Sequence, residues 1–327
     1  MSRSPESSPR SDGKAHQQCA DAVLMVRPGA FGYNPETAAT NTFQRPQDSG
    51  NAAAASAQAR AEFERLAQAL GSEGISVCAV DDSPDPAKPD AVFPNNWLSF
   101  HDDGTLVLYP MHSASRRLER RQEVIDAAVK RLDFKVSHLL DLTRHESEGR
   151  FLEGTGSLVL DHVARVAYAC ASPRTHPQLV AEWARELRYQ AVIFQATDRA
   201  GAPLYHTNVL MCIGARAVVI GSGSIAPGDR DRVLTQLRAS GREIIEIGPE
   251  EIEHFAGNML ELGTWDEALG DSRVLVMSDT ARRALKPELF AQLSGCTDAV
   301  LAVPVPTIEK LGGGSVRCML AEVFRPA

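Results

Sequence analysis

Three side chains suited to covalent catalysis stand far apart in this 327-residue chain, each in a short segment marked by glycine or asparagine. Cys318 follows the flexible run GGGSVR, His206 opens the segment HTN, and Glu153 stands in LEG. A cysteine thiolate is a nucleophile, an imidazole transfers protons, and a carboxylate can hold the ring. Taken singly, each residue also fits a structural role, as a packed cysteine or histidine or as a solvated carboxylate. The three support a reaction only if the fold brings them together.

A weak repeat with a period of roughly 50 to 60 residues provides elements that would do so. Each unit opens with an apolar run, continues through a second apolar run and a segment of helical spacing, and closes with a third short strand. The opening runs are VFPNNWLSF, LEGTGSLVLD, HTNVLMCIG, AGNMLELG and GGSVRCMLAEVF, and the helical segments of the four complete units cover residues 115–131, 176–188, 229–240 and 281–293. The order of elements in each unit is therefore ββαβ.

The fifth unit is assembled from the two ends of the chain. The strand that carries Cys318 supplies its first strand, AVLMVRP its second, residues 52–70 its helix and GISVCAV its third strand. This predicts an α/β fold, a five-bladed α/β-propeller of ββαβ modules closed by pairing of the N- and C-terminal segments. The first strand of each module would line the central axis. We therefore expect the residues that mark these strands to be neighbours: Asn96, Glu153, His206, Asn258 and Cys318.

Composition limits the classes of partner. The net charge of −8 argues against nucleic acid as the main partner, because phosphate binding needs clustered lysine and arginine. No run approaches the ~18 apolar residues of a membrane helix, and the N-terminus lacks the apolar core of a signal peptide. The six cysteines show no CxxC spacing, which favours reduced thiols and a cytoplasmic location. We expect a disordered tail over residues 1–20, rich in serine, proline and charge, and one catalytic domain over residues 21–327.

No cofactor is expected from the sequence. It contains no metal-ligand cluster and no dinucleotide fingerprint, and thiol chemistry requires neither. GSGSIAPG, from Gly221, is superficially similar to a phosphate loop, but it lacks the lysine and falls where the repeat needs a strand-to-helix turn. The expected partner is a small-molecule amino-acid substrate, with no nucleic acid and no membrane. The sequence leaves a homodimer open.

Taken in order, these motifs resemble the pentein, or guanidine-modifying, superfamily of arginine deiminases, dimethylarginine dimethylaminohydrolases and amidinotransferases. The resemblance covers residues 22–324 and rests on Leu152-Glu153-Gly154, His206-Thr207-Asn208 and the glycine-rich approach to Cys318. The segments PGAFGYNPETAATNTFQ and FPNNW are most similar to the citrulline-utilisation hydrolases of the CtlX type. The resemblance implies that Cys318 attacks the central carbon of a guanidino or ureido group. His206 would then protonate the leaving amine and activate water, and Glu153 would hold and polarise either His206 or the attacking water.

Two positions depart from the deiminase pattern. The resemblance places a carboxylate where this chain has Asn96, and in arginine deiminases another where it has Asn208. Those carboxylates neutralise the substrate guanidinium, whose burial without a counter-charge costs several kcal/mol. An asparagine can instead donate through its NH₂ and accept through its carbonyl, which suits a neutral ureido group. We therefore expect hydrolysis of citrulline, or a close relative, to ornithine, CO₂ and ammonia through an S-carbamoyl enzyme. The alternative interpretation is that both asparagines only cap strand ends.

The rest of the substrate site is implied by the same resemblance. Arg116, in SRRLE, and Arg174, in ASPRT, match arginines that bind the substrate carboxylate, for which a bidentate guanidinium is suited. Asp90 matches an acid that contacts the α-amino group. PGAFGYNPET would form a flap in which Phe31 shields the site. For each charged residue, a surface charge at a helix start is the alternative.

Three other functions stay open. The first is a deiminase or dimethylarginine dimethylaminohydrolase acting on a guanidine. The second is an amidinotransferase, which would need an acceptor amine and would yield a guanidino product. The third is a catalytically silent pentein ring that serves for binding, which the presence of all three catalytic residue types disfavours.

Overall fold

The computed structural model describes residues 17–46, 52–266 and 270–326. Its strands form five sheets of three strands each. In chain order they are β1 (Ala22–Arg27), β2 (Ser76–Asp81), β3 (Leu98–Phe100), β4 (Thr105–Leu108), β5 (His138–Asp141), β6 (Leu158–Asp161), β7 (Val166–Cys170), β8 (Gln190–Phe194), β9 (Met211–Ile213), β10 (Ala217–Ile220), β11 (Glu243–Glu246), β12 (Leu260–Asp266), β13 (Gly270–Ser278), β14 (Ala299–Val303) and β15 (Ala321–Glu322).

Helices connect these strands and cover the sheets. They are α1 (Pro35–Ala38), α2 (Ala52–Ser72), α3 (Gln122–Arg131), α4 (Gly154–Ser157), α5 (Pro177–Glu186), α6 (Pro227–Arg238), α7 (Pro249–Glu253), α8 (Asp279–Ala284), α9 (Pro287–Gly295) and α10 (Pro306–Gly312). The long helices are amphipathic. In α5, for example, Leu179, Val180 and Trp183 are buried against the sheet while the opposite face meets solvent.

All five sheets share one pairing pattern. The middle strand pairs antiparallel with the first strand of its module and parallel with the third. A parallel pair cannot be joined by a tight hairpin, so a helix crosses over between the second and third strands. The ββαβ modules and the five-module α/β architecture predicted from the repeat are confirmed.

The module assembled from both ends of the chain is present as expected. Strand β1 lies between β15 and β2, with Leu24 opposite Ala321 on one side and opposite Cys78 on the other. A single bridge between Phe100 and Val323 then joins this module to the first complete one. The C-terminal segment that carries Cys318 is thereby tied into the same sheet as the N-terminal strand.

The opening runs differ from the prediction in one respect. Each was expected to be strand throughout, but the residue that marks the run lies just ahead of the strand, in four modules at a short helical turn. Cys318 lies within the turn Val316–Met319, and strand β15 begins only at Ala321. Proline at the first position of the turn Pro94–Asn96 and a positive φ of 47° at Gly154 show why extended backbone is interrupted there.

Smaller differences concern element boundaries. The predicted helix over residues 115–131 is a 3₁₀ turn, Ser115–Glu119, followed by α3, and the segment 281–293 is divided between α8 and α9 at Pro287. The third strand of the first complete module begins at His138. GSGSIAPG forms the expected strand-to-helix turn, with a 3₁₀ turn at Ser222–Ser224 before α6.

The predicted tail falls mostly outside the described residues, which begin at residue 17. Its last residues pack against the fold: Gln18 is buried, and its side-chain NH₂ donates to the carbonyls of Leu160 and Ile213 at 3.0 and 3.1 Å. At least one residue assigned to the predicted tail, Gln18, therefore packs against the fold. Among the described helices, none is both long and apolar enough to cross a membrane.

Candidate functional site

The five residues expected to converge occupy equivalent places in the five modules, each at the turn that precedes a first strand. Asn96 ends the turn Pro94–Asn96, Glu153 precedes α4, His206 precedes the turn Thr207–Val209, and Asn258 lies just before β12. These four and Cys318, the fifth, in the turn Val316–Met319, are all buried. Short turns at the inner ends of the sheets can point these side chains at one another although they come from distant parts of the chain.

A small cavity lies where these turns meet. Cys318 and His206 both line it, as the nucleophile and proton-transfer group of one site must. The other lining residues are Thr37, Asn41, Asp90, Phe93, Asn96, Arg116, Arg174, Tyr205, Gly312, Gly313 and Gly314. The predicted site residues Asn96, Asp90, Arg116 and Arg174 therefore all reach the same cavity.

The Cys318 sulfur is surrounded by carboxamides. Asn258 Nδ2 lies 3.2 Å from Sγ, and Asn208 Nδ2 lies 3.4 Å from it. Arg317, the preceding residue in the sequence, is directed elsewhere: its guanidinium donates to Glu322 at 2.8 Å and to the carbonyl of Leu320 at 2.9 Å. Glu322 therefore binds the cation that stands next to Cys318 in the sequence, and that cation is not directed at the sulfur.

His206 and Glu153 form the expected pair. His206 Nε2 is 2.8 Å from Glu153 Oε2, and Oε1 of the glutamate accepts the backbone N–H of His112 at 3.0 Å. Burial lowers the pKa of His206 to about 4 despite the adjacent carboxylate. Burial alone would raise the pKa of Glu153, but the Arg174 cation and the hydrogen bond from His206 hold it well below its usual range. The pair at neutral pH is thus a neutral imidazole and an ionised carboxylate.

Asn96 is held in one orientation by Arg116. Arg116 Nη1 donates to Asn96 Oδ1 at 2.8 Å, and since a guanidinium has only donors, the carboxamide must present its oxygen to it. Arg116 is itself bound by both carboxylate oxygens of Glu119, each at 2.9 Å. The predicted carboxylate-binding Arg116 is thus already engaged by a protein carboxylate, which sequence reasoning did not foresee although Glu119 stands three residues on in SRRLE.

Two polar atoms of the site are buried without a partner. They are Asn96 Nδ2, a donor, and Asn208 Oδ1, an acceptor. Gly156 lies against the first: a Cβ added to it would come within 2.4 Å of Asn96 Nδ2 and 2.7 Å of His206 Nδ1. The side chains of Asn96 and His206 therefore approach each other around a glycine that leaves them room.

The segment predicted as a flap covers the cavity. Arg174 Nη2 donates to the carbonyl of Thr37 at 2.6 Å, and its Nη1 lies 3.4 Å from Glu153 Oε2. Asp90 accepts hydrogen bonds from two flap residues, from Asn34 at 2.7 Å and from Thr37 at 3.1 Å. The predicted α-amino and carboxylate contacts are thus occupied by the flap itself.

Phe31, also part of the flap, is buried beside Phe93 and packs in the apolar cluster that includes Cys318. Two further contacts hold the glycine run: Asn41 Nδ2, just beyond the flap, lies 3.2 Å from the carbonyl of Gly313, and the Tyr205 hydroxyl donates to the same carbonyl. Neither Asn41 nor Tyr205 was among the predicted site residues. Their one signal in the sequence is position, since Asn41 follows the flap segment and Tyr205 directly precedes His206.

The other five cysteines lie in surroundings that raise the pKa of the thiol. Burial raises the thiol pKa of Cys170 and Cys212 to about 12 and that of Cys296 to about 11, and it also raises those of Cys19 and Cys78. Within the described ranges, no group of three His, Cys, Asp or Glu side chains is arranged to hold a metal ion.

Comparisons with known proteins agree with this geometry. The family model described as N,N dimethylarginine dimethylhydrolase, eukaryotic, matches residues 27–325. No curated protein sequence is similar enough to match.

Several solved structures share the fold. The apo structure of ArgZ, an arginine dihydrolase from the ornithine-ammonia cycle in cyanobacteria, superposes with a TM-score of 0.70 at 18% identity, covering 93% of this chain and 41% of ArgZ. This chain thus spans well under half of full-length ArgZ. The substrate-bound N-terminal domain of an ArgZ mutant gives a TM-score of 0.69 at 18% identity, with coverage of 93% and 98%. A dimethylarginine dimethylaminohydrolase adduct gives 0.59 at 17% identity, with coverage of 93% and 99%.

The family match covers nearly the whole described chain, and the neighbours share its five-module architecture. The chain belongs to the N,N-dimethylarginine dimethylhydrolase family of the pentein superfamily, hydrolases that act on non-peptide carbon–nitrogen bonds.

Proposed function

We propose that this chain is a cysteine-dependent hydrolase of a neutral ureido amino acid, with citrulline as the preferred substrate. The supporting observation is a pair of unpartnered atoms: Asn96 Nδ2, on a residue that lines the cavity, and Asn208 Oδ1, on the carboxamide whose Nδ2 contacts Cys318 Sγ. A ureido group has one carbonyl oxygen and several N–H groups, so it complements one free donor and one free acceptor. Such buried atoms cost about 1–3 kcal/mol each while unmet, and a matching ligand recovers that free energy.

The distribution of charge supports the same choice. Asp90 is the carboxylate that lines the described cavity, and it already accepts from Asn34 and Thr37. Glu153 is engaged by His206 and Arg174, and Glu119 by Arg116. A guanidinium would therefore enter without a free counter-charge, at a cost of several kcal/mol, whereas a neutral urea would not.

The proposed reaction runs through a covalent enzyme. The Cys318 thiol loses its proton to neutral His206, and the sulfur attacks the ureido carbon. Because Nε2 of His206 is bound to Glu153, Nδ1 carries this proton. The imidazolium returns it to the leaving nitrogen as the carbon–nitrogen bond breaks, which releases ornithine and leaves S-carbamoyl-Cys318.

Water completes the turnover. His206 takes a proton from the attacking water, the carbon–sulfur bond breaks, and the proton returns to the departing sulfur. The carbamic acid formed decomposes to CO₂ and ammonia. Glu153 stabilises the imidazolium in both halves, as its ionised state at neutral pH allows. In this proposal Arg174 and Arg116 bind the substrate carboxylate and Asp90 its α-amino group, by exchanging their present partners as the flap opens, and Phe31 shields the closed site.

A guanidino substrate is the second candidate. The family is described by dimethylarginine, and the neighbour ArgZ is an arginine dihydrolase. Arginine or a methylated arginine would then be the substrate, with Asp90 as the nearest source of negative charge. Transfer to an amine acceptor, or ligand binding without turnover, would require that neither class of substrate be hydrolysed. A cytoplasmic location and a homodimer remain predictions.

One experiment separates the two substrate classes. The purified chain is incubated with citrulline, arginine and methylated arginines, and ornithine, citrulline and ammonia are measured, with Cys318→Ser as the control for contaminating activity. We expect ornithine and ammonia in equal amounts from citrulline, with far slower release of citrulline from the guanidines. Turnover of arginine beside inert citrulline would reject the ureido assignment.

A further inference from the structure

Asn258 is a fully buried asparagine whose orientation is determined by the backbone of a neighbouring module. Its Nδ2 donates to the carbonyl of Asn208 at 3.0 Å. A carbonyl only accepts, so the NH₂ and not the oxygen must face it. The same Nδ2 lies 3.2 Å from Cys318 Sγ, whereas Oδ1 is 3.7 Å away. The sulfur therefore faces a donor whose position is held by the fold.

The charged groups around the cavity are bound elsewhere. Arg116 is paired with Glu119, Arg174 with Glu153 and the flap, and Arg317 with Glu322. His206 is neutral at its lowered pKa and bound to Glu153, Asp90 accepts from the flap, and the Tyr205 hydroxyl donates to Gly313. The polar groups in contact with the sulfur are the two carboxamides, of Asn258 and Asn208.

We propose that Asn258, assisted by Asn208, is a catalytic residue that stabilises the Cys318 thiolate by N–H donation, in place of an adjacent cation. This inference rests on the proposed role of Cys318 as nucleophile. A hydrogen bond to an ionised acceptor is stronger than one to a neutral acceptor, so fixed donors favour the thiolate over the thiol. The donors also return the sulfur to the same place after the intermediate is hydrolysed.

The test is the pH profile of alkylation by iodoacetamide, an uncharged reagent, with labelling of Cys318 followed by peptide mass spectrometry. For Asn258→Ala we expect the pH of half-maximal rate to rise by about one unit, which makes alkylation about tenfold slower at neutral pH. For Asn258→Asp the pH of half-maximal rate should rise further, because a carboxylate in this place repels the thiolate. An Asn258→Ala profile that coincides with that of the wild type would overturn the proposal.

Asn95 provides the matched control. It is equally buried and donates to Thr155 Oγ1, with no contact to the sulfur, so Asn95→Ala should leave the profile unchanged. If it shifts the profile as much as Asn258→Ala does, the effect is general loosening of the site and the proposal fails. Asn208→Ala removes the second donor and must shift the profile in the same direction. It keeps the test decisive if both Asn258 variants misfold.

The assay uses no amino-acid substrate, so it is independent of the ureido assignment. A shifted profile in a chain that does not hydrolyse citrulline would support the role of Asn258 and reject the proposed substrate. An unshifted profile in a chain that does hydrolyse citrulline would reject the role of Asn258 and support the proposed substrate.

Discussion

Cys318 and Arg317 are neighbours in the sequence, yet they line two cavities of opposite character. The lining of the front cavity, defined by Cys318, His206 and Asn96, includes a buried polar atom without a partner, Asn96 Nδ2. The rear cavity, defined by Gln18, Arg317 and Glu322, is lined by fewer polar side chains. The side chains of these three residues all make hydrogen bonds. Arg317 binds Glu322 at 2.8 Å, and both ends of the Gln18 amide are hydrogen-bonded.

This difference in hydrogen-bond pairing indicates that the front cavity serves function and the rear cavity serves stability. Buried polar groups in folded proteins almost always find partners, and the rear cavity follows that rule. Two atoms near the front cavity depart from it: Asn96 Nδ2, in its lining, and Asn208 Oδ1, on the carboxamide whose Nδ2 contacts Cys318 Sγ. Substitutions in the front cavity should therefore act mainly on turnover, and those in the rear cavity mainly on the free energy of unfolding.

The largest contrast is expected between two cysteines. Cys318→Ser should lower turnover by at least about 10³-fold, because the reaction loses its nucleophile, while the melting temperature stays close to that of the wild type. Cys212→Ser, in the rear cavity, is the control and should keep turnover within about twofold. Both are measured by product release and circular dichroism. Equal losses of activity in the two variants would contradict the division.

Arg317→Met should destabilise the chain by about 3 kcal/mol, because it leaves the Glu322 carboxylate buried without its cation. Turnover by the folded fraction should change far less, since Arg317 does not line the front cavity. Chemical denaturation and steady-state rates give the two quantities. Adding Glu322→Gln should restore part of the lost stability, and failure to do so would show that the pair is not the cause.

Glu153→Gln should lower kcat by about 100-fold, because the amide cannot stabilise an imidazolium as a carboxylate does. KM should change less, since Glu153 is directed at His206 rather than at the cavity. Glu322→Gln serves as the rear control and should leave kcat nearly unchanged. If KM rises while kcat is kept, Glu153 acts on substrate binding instead.

Asn96→Asp should lower kcat/KM for citrulline by about tenfold, because an acceptor replaces the unpartnered donor that we propose to bind the ureido oxygen. Arginine turnover should rise in the same variant, since the new carboxylate offers a counter-charge. The ratio of the two kcat/KM values is the measurement. An unchanged ratio would mean that Asn96 does not contact the reacting headgroup.

The smallest effect is a difference in pH dependence between two buried glutamates. The pKa of Glu153 is depressed by Arg174 and His206, so its contribution to stability is present above pH 4.5, the ordinary range of a glutamate, and is lost as the pH falls. Burial raises the pKa of Glu322 despite Arg317, so its effect has the opposite sign and diminishes stability as the pH rises past that range.

Unfolding free energies of Glu153→Gln and Glu322→Gln, compared with the wild type between pH 3 and pH 7, should therefore diverge in opposite directions. The expected change in unfolding free energy adds up to about 1.4 kcal/mol for each unit of pKa shift. Parallel curves for the two variants would contradict the assigned directions.

Much of the fold could be predicted because each module carries its own local signals. Apolar runs rich in valine and isoleucine located the strands, and pairing of the two termini followed from the incomplete fifth unit. The short turns before the first strands were missed, since runs such as LEGTGSLVLD read as continuous strand while Gly154 adopts a positive φ. Residue types alone show neither that Glu119 binds Arg116 nor that Glu322 binds Arg317, because both depend on side-chain directions in the folded chain.

The placement of each reacting side chain on the turn of its own module has an evolutionary consequence. Residues 96 and 208 belong to separate modules and take no part in strand pairing. Asparagine and aspartate codons differ by a single base, so one transition at either position exchanges a neutral contact for an anionic one and leaves the sheets intact. Preference for charged or uncharged headgroups can thus drift between lineages by point mutation, under selection separate from that which maintains the scaffold.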